Sequence, residues 1–167
     1  MKLFRAKNIN EAIALQQENN GHYIAGGTFT MVEVNAGRFH PQCLIDLSLC
    51  EELYGVVENE TSVSIGALTT FTQIEKNGLL RRLFPALTKA ASEVGGPQVR
   101  NRGTVGGNIC AASPAADIAT PLLALDAVVT ARGARGTRSI PMGELFFAPK
   151  KTCLTAGLSV CQKVRSQ

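Results

Sequence analysis

The stretch from Gly95 to Asp126 constrains this chain more than any other. It reads Gly95-Gly96-Pro97-Gln98-Val99-Arg100-Asn101-Arg102-Gly103-Thr104-Val105-Gly106-Gly107-Asn108-Ile109-Cys110, and Ser113-Pro114-Ala115-Ala116-Asp117 follows shortly after. Five glycines fall within thirteen residues, from Gly95 to Gly107. Glycine reaches positive φ and lets backbone approach another group closely. Interleaved with Thr104, Asn108 and Ser113, such a loop can aim several N–H groups into one concavity, which suits a phosphate. Asp117 lies just beyond. An ionised carboxylate only accepts hydrogen bonds, so it suits sugar or polyol hydroxyls. A glycine-rich loop is often only a sharp turn between packed elements. Two facts point further. A second small-residue loop, Ala25-Gly26-Gly27-Thr28, lies near the N-terminus. The run Asn101 to Asp117 also has almost no bulky side chain to bury, so packing alone explains it poorly.

Size and composition bound the rest. The chain has 167 residues, 45% hydrophobic and 18% charged, enough for one domain with a real core or two small lobes. No run of eighteen apolar residues occurs, so no membrane span is expected. The start, Met1-Lys2-Leu3-Phe4-Arg5, lacks an apolar signal core, and a cytoplasmic protein is expected. The cysteines Cys43, Cys50, Cys110, Cys153 and Cys161 form no Cys-x-x-Cys pair, so no metal site is expected. Residues 1–126 carry ten basic and twelve acidic side chains, whereas residues 127–167 carry seven basic ones and Glu144. That tail has only Phe146 and Phe147 as aromatics, without a base-stacking pattern. Charge alone gives non-specific affinity, so nucleic acid is not an expected partner.

In chain order, Lys2–Ala6 reads as a strand and residues 10–19 as a helix capped by Asn8 or Asn10. Gly21 is expected to supply a left-handed stop. His22–Ala25 is a short strand running into Gly26-Gly27-Thr28, and Phe29 to Val34 begins a helix or turn. A backbone loop at a strand end is where dinucleotide phosphates commonly sit, yet the spacing is not Gly-x-Gly-x-x-Gly. Cys43–Leu47 reads as a buried strand. Leu53–Val57 and Ser62–Ile65 read as a hairpin. Thr70 caps a helix over 71–76, and Pro85 opens another that stops at Gly95-Gly96-Pro97. Pro121 delays or breaks a helix within Ala115–Leu125. Ala127–Ala131 and Thr137–Ile140 pair around Gly133–Gly136, and a short helix follows near Met142. Residues 148–167 show no strong period.

The two loops, in this order and at this separation, resemble the FAD-binding subunit of the molybdenum hydroxylases, the family of xanthine dehydrogenase, aldehyde oxidase and carbon monoxide dehydrogenase. The resemblance covers roughly residues 1–155 and is most specific at Gln98–Asn108 and Ser113–Asp117. Phe146-Phe147 with Lys151-Thr152-Cys153-Leu154 also looks like the family's segment closing the flavin domain. The resemblance implies an α+β fold of the vanillyl-alcohol-oxidase-like type, a two-lobed FAD-binding domain. A small N-terminal lobe would span residues 1–57 and a larger lobe residues 58–155. It implies that Ala25, Gly26, Gly27 and Thr28 cradle the FAD pyrophosphate, with Phe29 beside them. Thr104, Gly106, Gly107 and Asn108 would form the other half, and Ser113 and Asp117 would hold the ribityl and phosphate region. Phe29 stands where the family usually has a small polar residue, so a polar contact is expected to be missing.

The resemblance also implies a partner set: a molybdenum-cofactor subunit and an iron–sulfur subunit, with NAD or another electron acceptor. The implied role is electron transfer in a xanthine dehydrogenase-like complex of purine metabolism. No catalytic residue is expected in this chain, since His22 and His40 are isolated. The family's C-terminal domain pattern is not continued after Gly157, so residues 156–167 are expected to be an atypical tail of a truncated or frame-shifted product. Two other readings stand beside this one. A cell-wall enolpyruvyl reductase has a related fold, and a non-catalytic remnant or assembly partner is an alternative of another class.

Overall fold

The computed structural model describes residues 1–114 and 116–154 in full, and residues 160–166 as backbone. Ala115, Thr155, and residues 156–159 and Gln167 of the expected tail lie outside the described residues. The chain opens with β1 (Lys2–Arg5), α1 (Ile9–Asn19), β2 (His22–Ile24), α2 (Thr30–Asn35) and β3 (Cys43–Asp46). These strands form a parallel sheet in the order β1-β3-β2. Cys43, Leu44 and Ile45 of the central strand are all buried, as a parallel strand covered on both faces requires. α1 starts where the Asn8 side chain accepts from the Glu11 N–H at 2.9 Å, and the Glu11 carboxylate accepts from the Lys7 N–H at 2.8 Å. Ile9 and Ala12 then pack with Cys43, Ile45 and Leu47 in the first core. The left-handed stop is Asn20, at φ 46°, and not Gly21. Gly21 is needed for space: a methyl there would lie 2.8 Å from Ile45 Cδ1.

A 3-10 turn (Glu51–Leu53) leads to β4 (Val56–Glu58) and β5 (Val63–Gly66), the expected hairpin. Then come α3 (Phe71–Lys76), α4 (Gly78–Leu83), α5 (Pro85–Glu93), α6 (Pro97–Arg100), α7 (Val105–Ala111) and α8 (Ala119–Ala124). Thr70 caps α3 through a full capping box with Gln73. The sequence gives no sign of α4, which the Asn77 side chain caps by accepting from the Leu80 N–H at 3.0 Å. β6 (Val128–Gly133), β7 (Gly136–Pro141), α9 (Met142–Leu145), β8 (Phe146–Ala148), β9 (Lys151–Thr152) and β10 (Val160–Ser166) complete the chain. β8 and β9 pair as a small hairpin. The larger sheet is antiparallel, in the order β4-β5-β10-β6-β7. The aperiodic end of the chain thus supplies the backbone of that sheet's middle strand.

Val63 and Ile65 of β5, Val129 and Ala131 of β6, and Ile140 of β7 meet Phe71, Ile74, Leu87, Ala91, Val105, Ile109, Ile118 and Leu122 from the helices in a second core. Leu53 and Leu68 belong to the first core, so the segment from β3 to α3 is shared between the two halves. Among the described residues no helix is long and apolar enough to cross a membrane.

Cys50 sits fully buried in the first core, its thiol donating to the Ala6 carbonyl at 3.4 Å. Burial, with nearby Glu52 second, pushes this thiol up from 9.0 to about 11. The thiol stays neutral in the fold while the unfolded chain ionises near its ordinary value. Stability is therefore complete below pH 9 and is lost as pH rises from there through about 11. Thermal midpoints measured across that range are expected to fall, and Cys50→Ala is expected to flatten the decline.

Candidate functional site

The first loop begins where β2 ends. The Ile24 carbonyl accepts from the Leu47 N–H at 3.0 Å, which fixes the strand end against β3. Ala25–Phe29 then turn, with Gly27 at φ +75°, and the Gly27 and Phe29 carbonyls accept from Met31 and Glu33 as α2 starts. Among the described residues, no acceptor is paired with the N–H groups of Gly26, Gly27 and Thr28. Half-exposed donors in succession on a turn with alternating backbone hand are the chemistry of an anion nest.

The second loop meets the first directly. A methyl on Gly26 would lie 1.8 Å from the carbonyl oxygen of Arg102 and 2.6 Å from its carbon. Backbone therefore rests on backbone, and the position admits glycine alone. Gly103 is buried with its Cα facing the Phe71 ring, where a methyl would sit at 2.7 Å. Its carbonyl accepts from the Phe71 N–H at 3.1 Å, and Thr104 bridges to Thr70. Gly107 places its Cα near Ala25, where a methyl would approach Ala25 Cβ at 3.9 Å. So the structure brings Gly26 against Arg102 and Ala25 beside Gly107, with Thr104, Gly106 and Asn108 next to these in the chain.

The stretch read as a loop is half helix, and this changes what its glycines do. Thr104, 5% exposed, caps α7 by accepting from the Gly107 N–H at 3.1 Å. The Val105 N–H donates to the Thr69 carbonyl at 3.0 Å and the Gly106 N–H to the Ala67 carbonyl at 2.9 Å. These donors are spent on the second half of the fold. Gly106 serves close packing, since a methyl there would lie 2.7 Å from Ala67 Cβ. The Gly106 and Gly107 N–H groups are thus committed within the chain, whereas those of Gly26, Gly27 and Thr28 have no acceptor among the described residues.

Asn108 supplies what the α7 amides do not. Its Oδ1 is buried and has no partner among the described residues. Leaving a buried carbonyl oxygen unpaired costs about 1–3 kcal/mol, so such an atom points to a missing donor. A dinucleotide flavin offers phosphate oxygens to the free N–H groups and hydroxyl or amide donors to this oxygen, so the residues present fit FAD. Ser113 is half-buried and Asp117 exposed, both placed by the chain just beyond α7.

One group has no signal in the sequence. Lys150 sits in the β8–β9 turn at φ 58°, left-handed for a non-glycine residue, a conformation costing about 1 kcal/mol or more. Its N–H donates at 2.8 Å to the carbonyl of Ala112, the left-handed cap of α7. Its ammonium lies 5.5 Å from the centre of the Phe29 ring and 3.9 Å from Glu33 Oε2. Arg38 already grips Glu33 as a fork, at 3.2 and 2.9 Å, and holds that carboxyl below its usual range. Tyr23, just before the first loop, has a buried hydroxyl with no partner among the described residues, and burial pushes it up to about 12.

Comparison with known proteins shows the family and the fold. The model of the family described as FAD binding domain in molybdopterin dehydrogenase matches residues 1–164. The nicotinate dehydrogenase FAD-subunit of Eubacterium barkeri is 39% identical over 148 residues, which is 87% of this chain and 50% of that protein. The xanthine dehydrogenase FAD-binding subunit of Escherichia coli O157:H7 is 36% identical over 90% of this chain and 52% of its own length. A solved carbon monoxide dehydrogenase chain from Hydrogenophaga pseudoflava superposes with a TM-score of 0.96 at 29% identity, covering 99% of this chain and 58% of that one. The chain spans about half the length of these relatives.

Gly26→Ala is expected to separate the loops and destabilise the protein by more than about 2 kcal/mol, with flavin binding lost. Gly143→Ala, where a methyl meets open space on α9, is expected to be neutral or slightly stabilising. Urea midpoints of the two variants check the contrast.

Proposed function

We propose that this chain, which belongs to the FAD-binding domain family of the molybdopterin dehydrogenases, serves as the electron-transfer flavoprotein of a xanthine dehydrogenase-like molybdenum hydroxylase. It stands between the iron–sulfur centres of a partner subunit and NAD or another acceptor, and a molybdenum-cofactor subunit oxidises the substrate. The observation that carries the reading is the meeting of the two small-residue loops at Gly26 and Arg102, together with the Gly26–Thr28 N–H groups and an Asn108 oxygen that have no partner among the described residues. When bound, FAD supplies reversible two-electron chemistry, and the protein supplies binding and orientation. Gly26, Gly27 and Thr28 receive the pyrophosphate, Asn108 accepts from a flavin-side donor, and Ser113 and Asp117 take hydroxyls. Thr104, Gly106 and Gly107 hold α7 at the distance this requires.

The choice of a purine-like substrate follows the name of the xanthine dehydrogenase relative, while the nicotinate and carbon monoxide dehydrogenase relatives are named for other substrates. We propose a boundary between the two lobes near residues 57 and 58, within β4, the first strand of the antiparallel sheet.

The purified chain is expected to carry one FAD, released by heat and identified as the dinucleotide. Under anaerobic conditions NADH is expected to bleach its visible absorbance. Bleaching by dithionite but not by NADH would assign another acceptor. A chain that neither carries FAD nor takes it up would overturn the reading.

A further inference from the structure

We propose that Lys150 is the cation that receives the flavin pyrophosphate, seated for that role by the ring of Phe29. The inference rests on the FAD reading above and deepens it. A pyrophosphate brings two negative charges, and the N–H groups of Gly26–Thr28 can satisfy oxygens without neutralising them. The first loop runs straight into α2, which carries Glu33, a carboxylate that would repel the same anion. A cation is therefore needed on this side of the site. Arg38 is committed to Glu33 through two hydrogen bonds, and Arg100 is paired with Glu75 at 3.5 Å.

Lys150 is differently held. Its contact with Glu33 is 3.9 Å long, and its side chain is 59% exposed. Its main chain is pinned to the end of α7 through Ala112, while its ammonium reaches back to the residue that directly follows Thr28. One side chain thus spans from the second loop's helix to the first loop. The left-handed backbone at Lys150 is the sort of local strain that persists where the surrounding structure fixes a side chain for use. Phe29 has a positive part in this arrangement. Where a small polar residue would offer one hydrogen bond, its ring face holds an ammonium beside the loop.

The test is equilibrium titration of the flavin-free chain with FAD, followed by flavin fluorescence at several salt concentrations. Lys150→Met is expected to weaken FAD binding about 10- to 100-fold, the usual loss for a charge-assisted contact. The dependence of affinity on salt is expected to become shallower, because one ionic contact is gone. Lys150→Arg is expected to restore most of the affinity, and Phe29→Ala to lose part of it. A purely structural role would lower the melting temperature without changing the salt slope, and that result overturns the proposal. FAD binding by Lys150→Met equal to wild type overturns it as well, while leaving the FAD reading intact. Failure of the wild-type chain itself to bind FAD removes both.

Discussion

The contact between Gly26 and the Arg102 carbonyl is the constraint on which the site depends. It is backbone against backbone, with no room for a single methyl. It ties a strand end of the parallel sheet to the segment that starts α7 in the other half of the fold. The remaining glycines in that segment follow from it. Gly103 must clear Phe71 and Gly106 must clear Ala67 for α7 to come close enough. The α7 amides then bond to Thr69 and Ala67, which locks the helix to the second core. Once those donors are committed, the N–H groups of Gly26–Thr28 in the first loop are left without an acceptor among the described residues.

The site is thereby divided between two kinds of group. Gly26–Thr28 give donors, and Asn108 gives a buried acceptor without a partner among the described residues. Unpaired polar groups of both kinds suit the proposed dinucleotide, which carries phosphate oxygens as well as hydroxyl and amide donors. The α7 end adds the third kind, a charge delivered by Lys150 over Phe29. That the donors sit on a packed loop junction means that little ordering is left to do when the ligand arrives.

Much of this was legible in residues whose effect is local. Asn8, Thr70 and Pro85 announced their helices, because capping acts within a single turn. The two loops were legible as a pair through their resemblance to a known family. What was not legible depended on distant partners. Two glycines argue against a helix at 105–111, each costing about 1 kcal/mol relative to alanine. The helix forms because Thr104 caps it and the Ala67 and Thr69 carbonyls accept its first amides. Gly21 looked like the left-handed stop, yet Asn20 takes that backbone and Gly21 clears Ile45. The middle strand of the larger sheet comes from a segment with no period, since its neighbours β5 and β6 supply the pairing. Phe29 read as a lost polar contact, and only the β8–β9 turn reveals the ammonium it carries.

Amide hydrogen exchange, measured residue by residue with and without added FAD, tests the central claim most directly. FAD is expected to slow exchange at Gly26, Gly27 and Thr28, while Gly106, already bonded to Ala67, is slow in both states. Protection by FAD at Gly106 with none at Gly26–Thr28 would contradict that claim.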